Sequence, residues 1–125
     1  MRPSILIVGG EGGPSIARDP VLAEAVDIVD VPSTAAAALA LLAGSPPRLA
    51  AVVVGEDPLA GPVAGFIDWT MRLWPHLPVV VACAQGSPLR WLHRPNLHRV
   101  APGDAEHLAR LVTGLLDDQR ALVAH

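Results

Sequence analysis

Three short apolar runs without alternation, set between segments of helical period, restrict this chain to one kind of sheet. Ile5-Leu6-Ile7-Val8, Ala50-Ala51-Val52-Val53-Val54 and Val79-Val80-Val81 are apolar at every position. That is the mark of strands covered on both faces, as happens in a parallel sheet whose crossover helices lie above and below it. Strands are therefore predicted over 4–8, 26–31, 49–54, 79–84 and 97–101. The second reads Val26-Asp27-Ile28-Val29-Asp30-Val31, an alternation that leaves one face wet, as at a sheet edge.

The intervening segments carry helix signals. Pro14 suits a first helical turn and Ile16, Ala17, Val21 and Leu22 form a stripe, which Pro20 breaks or delays. Ser33 or Thr34 caps an Ala/Leu helix running to about residue 43, closed by Gly44 and Pro46-Pro47. A third helix is predicted over 63–73, with Phe66, Ile67, Trp69, Thr70 and Leu73 crowding one side. Ser87-Pro88 opens a short helix closed before Pro95, and Asp104 caps a last one bearing Leu108, Leu111, Val112, Leu115 and Leu116. Five strands alternating with five helices fit a flavodoxin-like doubly wound sheet of order 2-1-3-4-5, with helices on both faces and residues 1–125 as one domain.

Composition agrees with a packed domain and narrows its chemistry. A chain of 125 residues that is 51% hydrophobic and 17% charged buries about two-thirds of its unfolded surface. There is no lysine, so all nine basic residues are arginine, and the net charge of −3 leaves no basic stripe for a phosphate backbone. Nucleic acid is excluded as an expected ligand. Cys83 is the single cysteine, which rules out an internal disulfide. The opening apolar run is cut off by Gly9, Gly10 and Glu11, far short of a membrane span or a secretory leader. A cytoplasmic chain without membrane contact is expected.

In doubly wound sheets the ligand site lies beyond the carboxyl ends of the strands near the switch in strand order. Here those places read Gly9-Gly10-Glu11-Gly12-Gly13 after the first strand, Gly55-Glu56-Asp57-Pro58 after the third, Cys83-Ala84 after the fourth and Ala101-Pro102 after the fifth. Two segments, Ile5-Leu6-Ile7-Val8 and Leu73-Trp74-Pro75-His76-Leu77-Pro78-Val79-Val80-Val81, resemble the first strand and the helix-to-fourth-strand link of the receiver domain of bacterial two-component response regulators. The resemblance extends over nearly the whole chain in pattern and spacing. It implies that Gly55 stands on the phosphoacceptor aspartate, Gly9 and Gly10 on the paired acids that hold Mg²⁺, Cys83 on the switch hydroxyl and Ala101 on the invariant lysine. On the same pattern His98 stands on the strand-five aromatic position.

Aspartyl phosphorylation needs a carboxylate nucleophile, a divalent cation on hard oxygen ligands and a cation to neutralise the phosphoryl group. Glycine and alanine supply none of these, so the pocket Gly9, Gly10, Gly55, Cys83 and Ala101 is expected to be degenerate, without enzymatic activity and without a cofactor. Glu11, Glu56 and Asp57 lie close by in sequence and would rebuild an acidic cluster if the alignment slipped, but no slip restores a lysine. An arginine such as Arg99 is an imperfect stand-in, because a planar guanidinium differs from an ammonium. The loop 9–13 also offers an alternative of another class, a small nucleotide- or anion-binding domain whose bare amides, with Asp30 ending the second strand, meet the anion. Against it, Pro14 removes a helix-start donor and Glu11 repels phosphate.

Other chemistry is thinner. His93, His98, His107 and Cys83 lack the spacing of a structural zinc site and read as surface histidines with a small buried thiol. No serine lies in a Gly-x-Ser-x-Gly elbow, and Ser87 is explained by capping. What remains is surface: in the receiver family the fourth helix, fifth strand and fifth helix commonly mediate dimerisation or docking, and this region carries Trp91, Leu92, Arg94 and His98. Trp and Arg are enriched at interface hot spots. The expected role is a phosphorylation-independent protein-interaction or dimerisation module in bacterial signalling or localisation, meeting a protein partner or a second copy.

Overall fold

A computed structural model describes residues 3–9, 24–44, 48–55, 63–83, 94–101 and 104–124, with the main chain alone at 105 and 119–124. Its strands are β1 (Ser4–Val8), β2 (Asp27–Val31), β3 (Leu49–Gly55), β4 (Val79–Ala82) and β5 (Leu97–Val100). Among the described residues its complete helices are α1 (Thr34–Leu42), α2 (Val63–Leu73) and α3 (Ala105–Ala124), and Glu24 and Ala25 close a further helical segment. All neighbouring strands pair in parallel in the order β2-β1-β3-β4-β5.

The in-register ladders stack like residues into rows across the sheet. One row runs Val29, Leu6, Val52, Val79, Leu97 and the next Asp30, Ile7, Val53, Val80, His98. Because side chains alternate between faces along a strand, successive rows belong to opposite faces. One face packs Ile5, Ile7, Val53 and Val80 against Leu108, Val112 and Leu116 of α3. The other packs Leu6, Val8, Val52 and Val81 against Ala37 and Leu41 of α1 and Phe66, Ile67 and Met71 of α2. The unbroken apolar runs thus arise from a sheet with no wet face in its middle strands. Each fully buried Val or Ile contributes about 1.5–3 kcal/mol. At the edge, β2 keeps Asp27 and Asp30 exposed, but three positions separate them and they lie on opposite faces, so the single wet face expected from sequence does not form: Ile28 packs on the α3 side and Val29 and Val31 on the other.

Local chemistry sets the helix limits. The Ser33 side chain accepts a hydrogen bond from the Ala36 N–H at 3.1 Å and fixes the start of α1. At its other end Gly44 takes φ 72°, and its N–H reaches the Leu41 carbonyl at 3.1 Å. Glycine enters that left-handed region at no steric cost. In α3 the Asp104 carboxylate accepts from the His107 N–H at 3.1 Å. The buried side of α2 comprises Val63, Phe66, Ile67, Thr70 and Met71. Leu73, expected on that side, is 52% exposed, because it lies past the rim of the buried arc in the final turn. Thr70 is buried with no hydrogen-bond partner for its hydroxyl.

Most connections between the described elements gather at the amino edge of the sheet. Ser4 N–H donates to Arg48 C=O at 3.0 Å, Asp27 N–H to Pro3 C=O at 3.0 Å, Val52 N–H to Pro78 C=O at 3.0 Å and Val79 N–H to Asn96 C=O at 2.9 Å. The Asn96 amide also donates to the Pro75 carbonyl at 2.6 Å. Arg48 adopts φ 61°, and beside it the β1–β3 pairing shifts register between Ser4 and Ile5. Trp69 meets Trp74 edge-on at 5.4 Å between ring centroids, closing the core under the same edge.

Strand ends differ slightly from expectation. β3 runs one residue further, to Gly55, whereas β4 stops at Ala82 and β5 at Val100. Apolarity continues past the last ladder pair, so sequence alone overextends the fourth strand. The helices predicted to open at Pro14 and at Ser87-Pro88 lie outside the described residues.

Candidate functional site

The carboxyl edge of the sheet is assembled from the residues that end its strands. Val8 pairs with Val31 on one side and Val54 on the other, so Gly9 emerges between β2 and β3. Its N–H donates to the Val31 carbonyl at 3.0 Å, and it holds φ 81°, a conformation that resists any side chain. Gly55 is the last residue of β3, buried, and paired with Ala82, which is paired in turn with Val100. One step beyond that row stand Cys83, buried, and Ala101, exposed. The Cys83 N–H donates to the Val100 carbonyl at 3.0 Å.

Gly9 and Gly55 therefore stand level at the ends of β1 and β3, and Cys83 and Ala101 stand one step further along, beyond β4 and β5. Between them they present main chain, one thiol and one methyl group. Gly10, Glu11, Glu56 and Asp57 lie outside the described residues. Among the described residues no three His, Cys, Asp or Glu side chains are grouped to hold a metal ion. Asp30, named with the glycine loop, is exposed near the end of β2.

On the proposed interaction surface, Trp91 and Leu92 also fall outside the described residues. His98 is half-buried in β5, the edge strand of the sheet, on the face covered by α3. His107 is half-buried as well, so neither His98 nor His107 is the fully exposed surface group that its sequence context indicated. Arg94 has a structural engagement that the sequence did not reveal. Its guanidinium donates to Asp68 of α2 at 2.6 Å, while Arg72 pairs with the other oxygen of the same carboxylate at 3.0 Å. The Arg94 hydrogen bond holds the Asp68 carboxyl below its ordinary value; burial opposes it, and the charges of Arg72 and Arg94 add to the lowering. Twenty-six positions separate Asp68 and Arg94, so no periodicity joins them.

The parallel order β2-β1-β3-β4-β5, with helices on both faces and a candidate site at the carboxyl edge, defines a receiver-like, flavodoxin-like fold. A solved structure agrees: a response regulator receiver domain protein from Clostridium thermocellum superimposes with a TM-score of 0.65, covering 96% of this chain and 98% of that one. The two are 15% identical, a level at which the likeness is one of fold. No family model matches the sequence, and no curated protein matches it.

Proposed function

We infer that this chain, residues 1–125 taken as one domain, is a pseudo-receiver: a receiver-like domain that has given up phosphotransfer and acts by contact, as a protein-interaction or dimerisation module in bacterial cytoplasmic signalling or localisation. One observation carries the reading. The residues that end or succeed β1, β3, β4 and β5 are Gly9, Gly55, Cys83 and Ala101, which hold no carboxylate and no ammonium, in a chain without lysine. Among the described residues there, a phosphoryl group meets neither a carboxylate nor an ammonium.

The reading assigns contact with a partner, or with a second copy, to the region of β5, α3 and the segment before β5, including Trp91, Leu92, Arg94 and His98. Its half-buried edge histidine supports this, since an edge strand is an available docking element. Nucleic acid and membrane are not among the proposed partners. No helix among the described residues is long and apolar enough to cross a membrane.

A thermal-shift panel tests the reading. A ligand that binds at tenfold above its dissociation constant stabilises the folded state by about 1.4 kcal/mol. Beryllofluoride with Mg²⁺ should leave the melting curve unchanged, and an upward shift would restore phosphoryl chemistry to the pocket. Stabilisation by common nucleotides would move the assignment to the glycine loop 9–13. Light scattering across concentration reads self-association directly, and His98→Glu should lower any concentration-dependent mass.

A further inference from the structure

β5 has four residues and one neighbouring strand, β4. So short an edge strand has few ladder bonds and belongs to the parts of a fold that open first. Leu97 and Val100 anchor it in the cores on opposite faces, and the half-buried His98 and Arg99 lie between them. Its entrance is tied by more than the ladder. Arg94, Pro95, Asn96 and Leu97 make a turn in which the Leu97 N–H donates to the Arg94 carbonyl at 3.2 Å. Pro95 takes the second position, where its fixed φ favours a turn. The Arg94 guanidinium donates to Asp68 of α2 at 2.6 Å. The Asn96 amide donates to the Pro75 carbonyl at 2.6 Å, and the Asn96 carbonyl accepts from the Val79 N–H at 2.9 Å.

Both side-chain anchors belong to one aromatic corner. Asp68 precedes Trp69 and Pro75 follows Trp74. The two indoles meet edge-on at 5.4 Å between centroids, and the Phe66 ring lies 6.3 Å from that of Trp69. All three rings pack on the core face that α2 covers. The end of α2 closes on the same pair: the Trp74 N–H donates to the Thr70 carbonyl at 2.8 Å, and the Leu77 N–H to the Trp74 carbonyl at 3.1 Å. The ring contact thus sets the spacing between a carboxylate on α2 and a carbonyl on the link to β4. Arg72, one turn on from Asp68, holds the second oxygen of that carboxylate at 3.0 Å and helps to orient it. The turn 94–97 spans the two anchors.

We propose that this corner is a clasp: the Trp69–Trp74 pair holds the turn 94–97 through Asp68 and Pro75, and the turn holds β5 on β4. β5 opens as a unit when the clasp loosens, while β1 and β3 stay folded. Trp69 and Trp74 act here as positioning residues, since neither belongs to β5 and their effect passes through the groups beside them. A change that parts the two rings is therefore felt at an edge strand well removed from them in sequence. The proposal goes beyond the contact-module reading, because it concerns a single chain and needs no partner. Where contact is made through β5, the clasp governs whether that strand is presented in order.

Amide hydrogen exchange of the full chain, read residue by residue by NMR where exchange reports opening equilibria, tests the clasp. In the parent, the β5 amides bonded to β4 should exchange about tenfold faster than those of β1 and β3. Asn96→Ala should speed β5 about fivefold, the loss of one hydrogen bond, and Asp68→Asn by a smaller factor, because its ion pair is partly exposed. Ile5→Val, in a strand that β3 and β4 separate from β5, should speed β1 and β3 and leave β5 at the parent rate. Trp69→Leu should speed β5 in the parent and add nothing in a chain that already carries Asp68→Asn and Asn96→Ala, the mark of an effect passed through those two residues. Exchange of β5 at the rate of β3, no response of β5 to Asn96→Ala, or an undiminished effect of Trp69→Leu in the double variant overturns the proposal. A chain that fails to fold without Trp69 leaves Asn96→Ala and Ile5→Val to decide. Neither partner nor self-association enters the readout, so failure here is distinct from failure of the contact-module reading.

Discussion

Among the described residues, the two ends of the sheet are held together by different groups. At the amino edge, side chains cross between elements: Asn96 holds the Pro75 carbonyl at 2.6 Å, Arg94 ties β5 to α2 through Asp68, and Trp69 braces Trp74. At the carboxyl edge main-chain bonds run from Gly9 to Val31 and from Cys83 to Val100, and the described residues there include glycine, cysteine and alanine. In doubly wound folds the carboxyl edge is where ligands are met. Among the described residues, these side-chain contacts between elements lie at the amino edge.

Truncating the core beneath the braced end should have the largest effect. Ile67→Ala, at a position with no exposure, is expected to cost about 2–5 kcal/mol in urea unfolding. Cys83→Ala at the other end should cost about 1 kcal/mol or less, since it removes one small sulfur from the rim of the core. Equal losses from the two would erase the contrast. Next comes restoration of the missing acid. Gly55→Asp sets a carboxylate at a buried strand end beside Ala82 and should destabilise by about 1–3 kcal/mol. Mg²⁺ should not recover that loss, and a Mg²⁺-dependent rise in melting temperature would show that this edge retains more chemistry than the described residues offer.

Smaller changes sharpen the picture. Asn96→Ala should cost about 1 kcal/mol by loss of the Pro75 latch. Thr70→Val should stabilise by about as much, because it removes a buried hydroxyl that has no partner. Gly114→Ala in α3, where an added methyl meets open space, should stabilise by about 0.5–1 kcal/mol in the same assay. The weakest effect concerns pH. Asp68 has its folded-state value depressed by Arg94, so its contribution is present above the ordinary value of 3.8 and is lost as pH falls through the lowered one. Asp68→Asn should therefore flatten the acid limb of a stability profile slightly, and an unchanged limb would discount the ion cluster.

Much of the fold was legible because its signals are local. The Ser33 cap and Gly44 bracket α1, and the runs at 5–8, 50–54 and 79–81 coincide with β1, β3 and β4. Where Gly9, Gly55, Cys83 and Ala101 fall along the strands follows from where those runs end. What escaped is long-range or marginal. Arg94 reads in sequence as an interface residue because nothing local announces Asp68. Leu73 reads as core because it is leucine, although the helix turns it past the buried arc. The stretch between Asp30 and Arg48 contains no charged residue; only burial separates its exposed Leu39 and Leu42 from the inward-facing Leu41.

The Asn96 latch carries one further consequence. It stands immediately before β5, where His98 and Arg99 follow in succession and so face opposite sides of the sheet. A slip of a single position would exchange imidazole and guanidinium between the α3 side and the side covered by α1 and α2. One amide at the entrance to the strand thereby sorts an imidazole and a guanidinium onto separate faces of the sheet, and an insertion or deletion at that entrance would rewrite both faces at once.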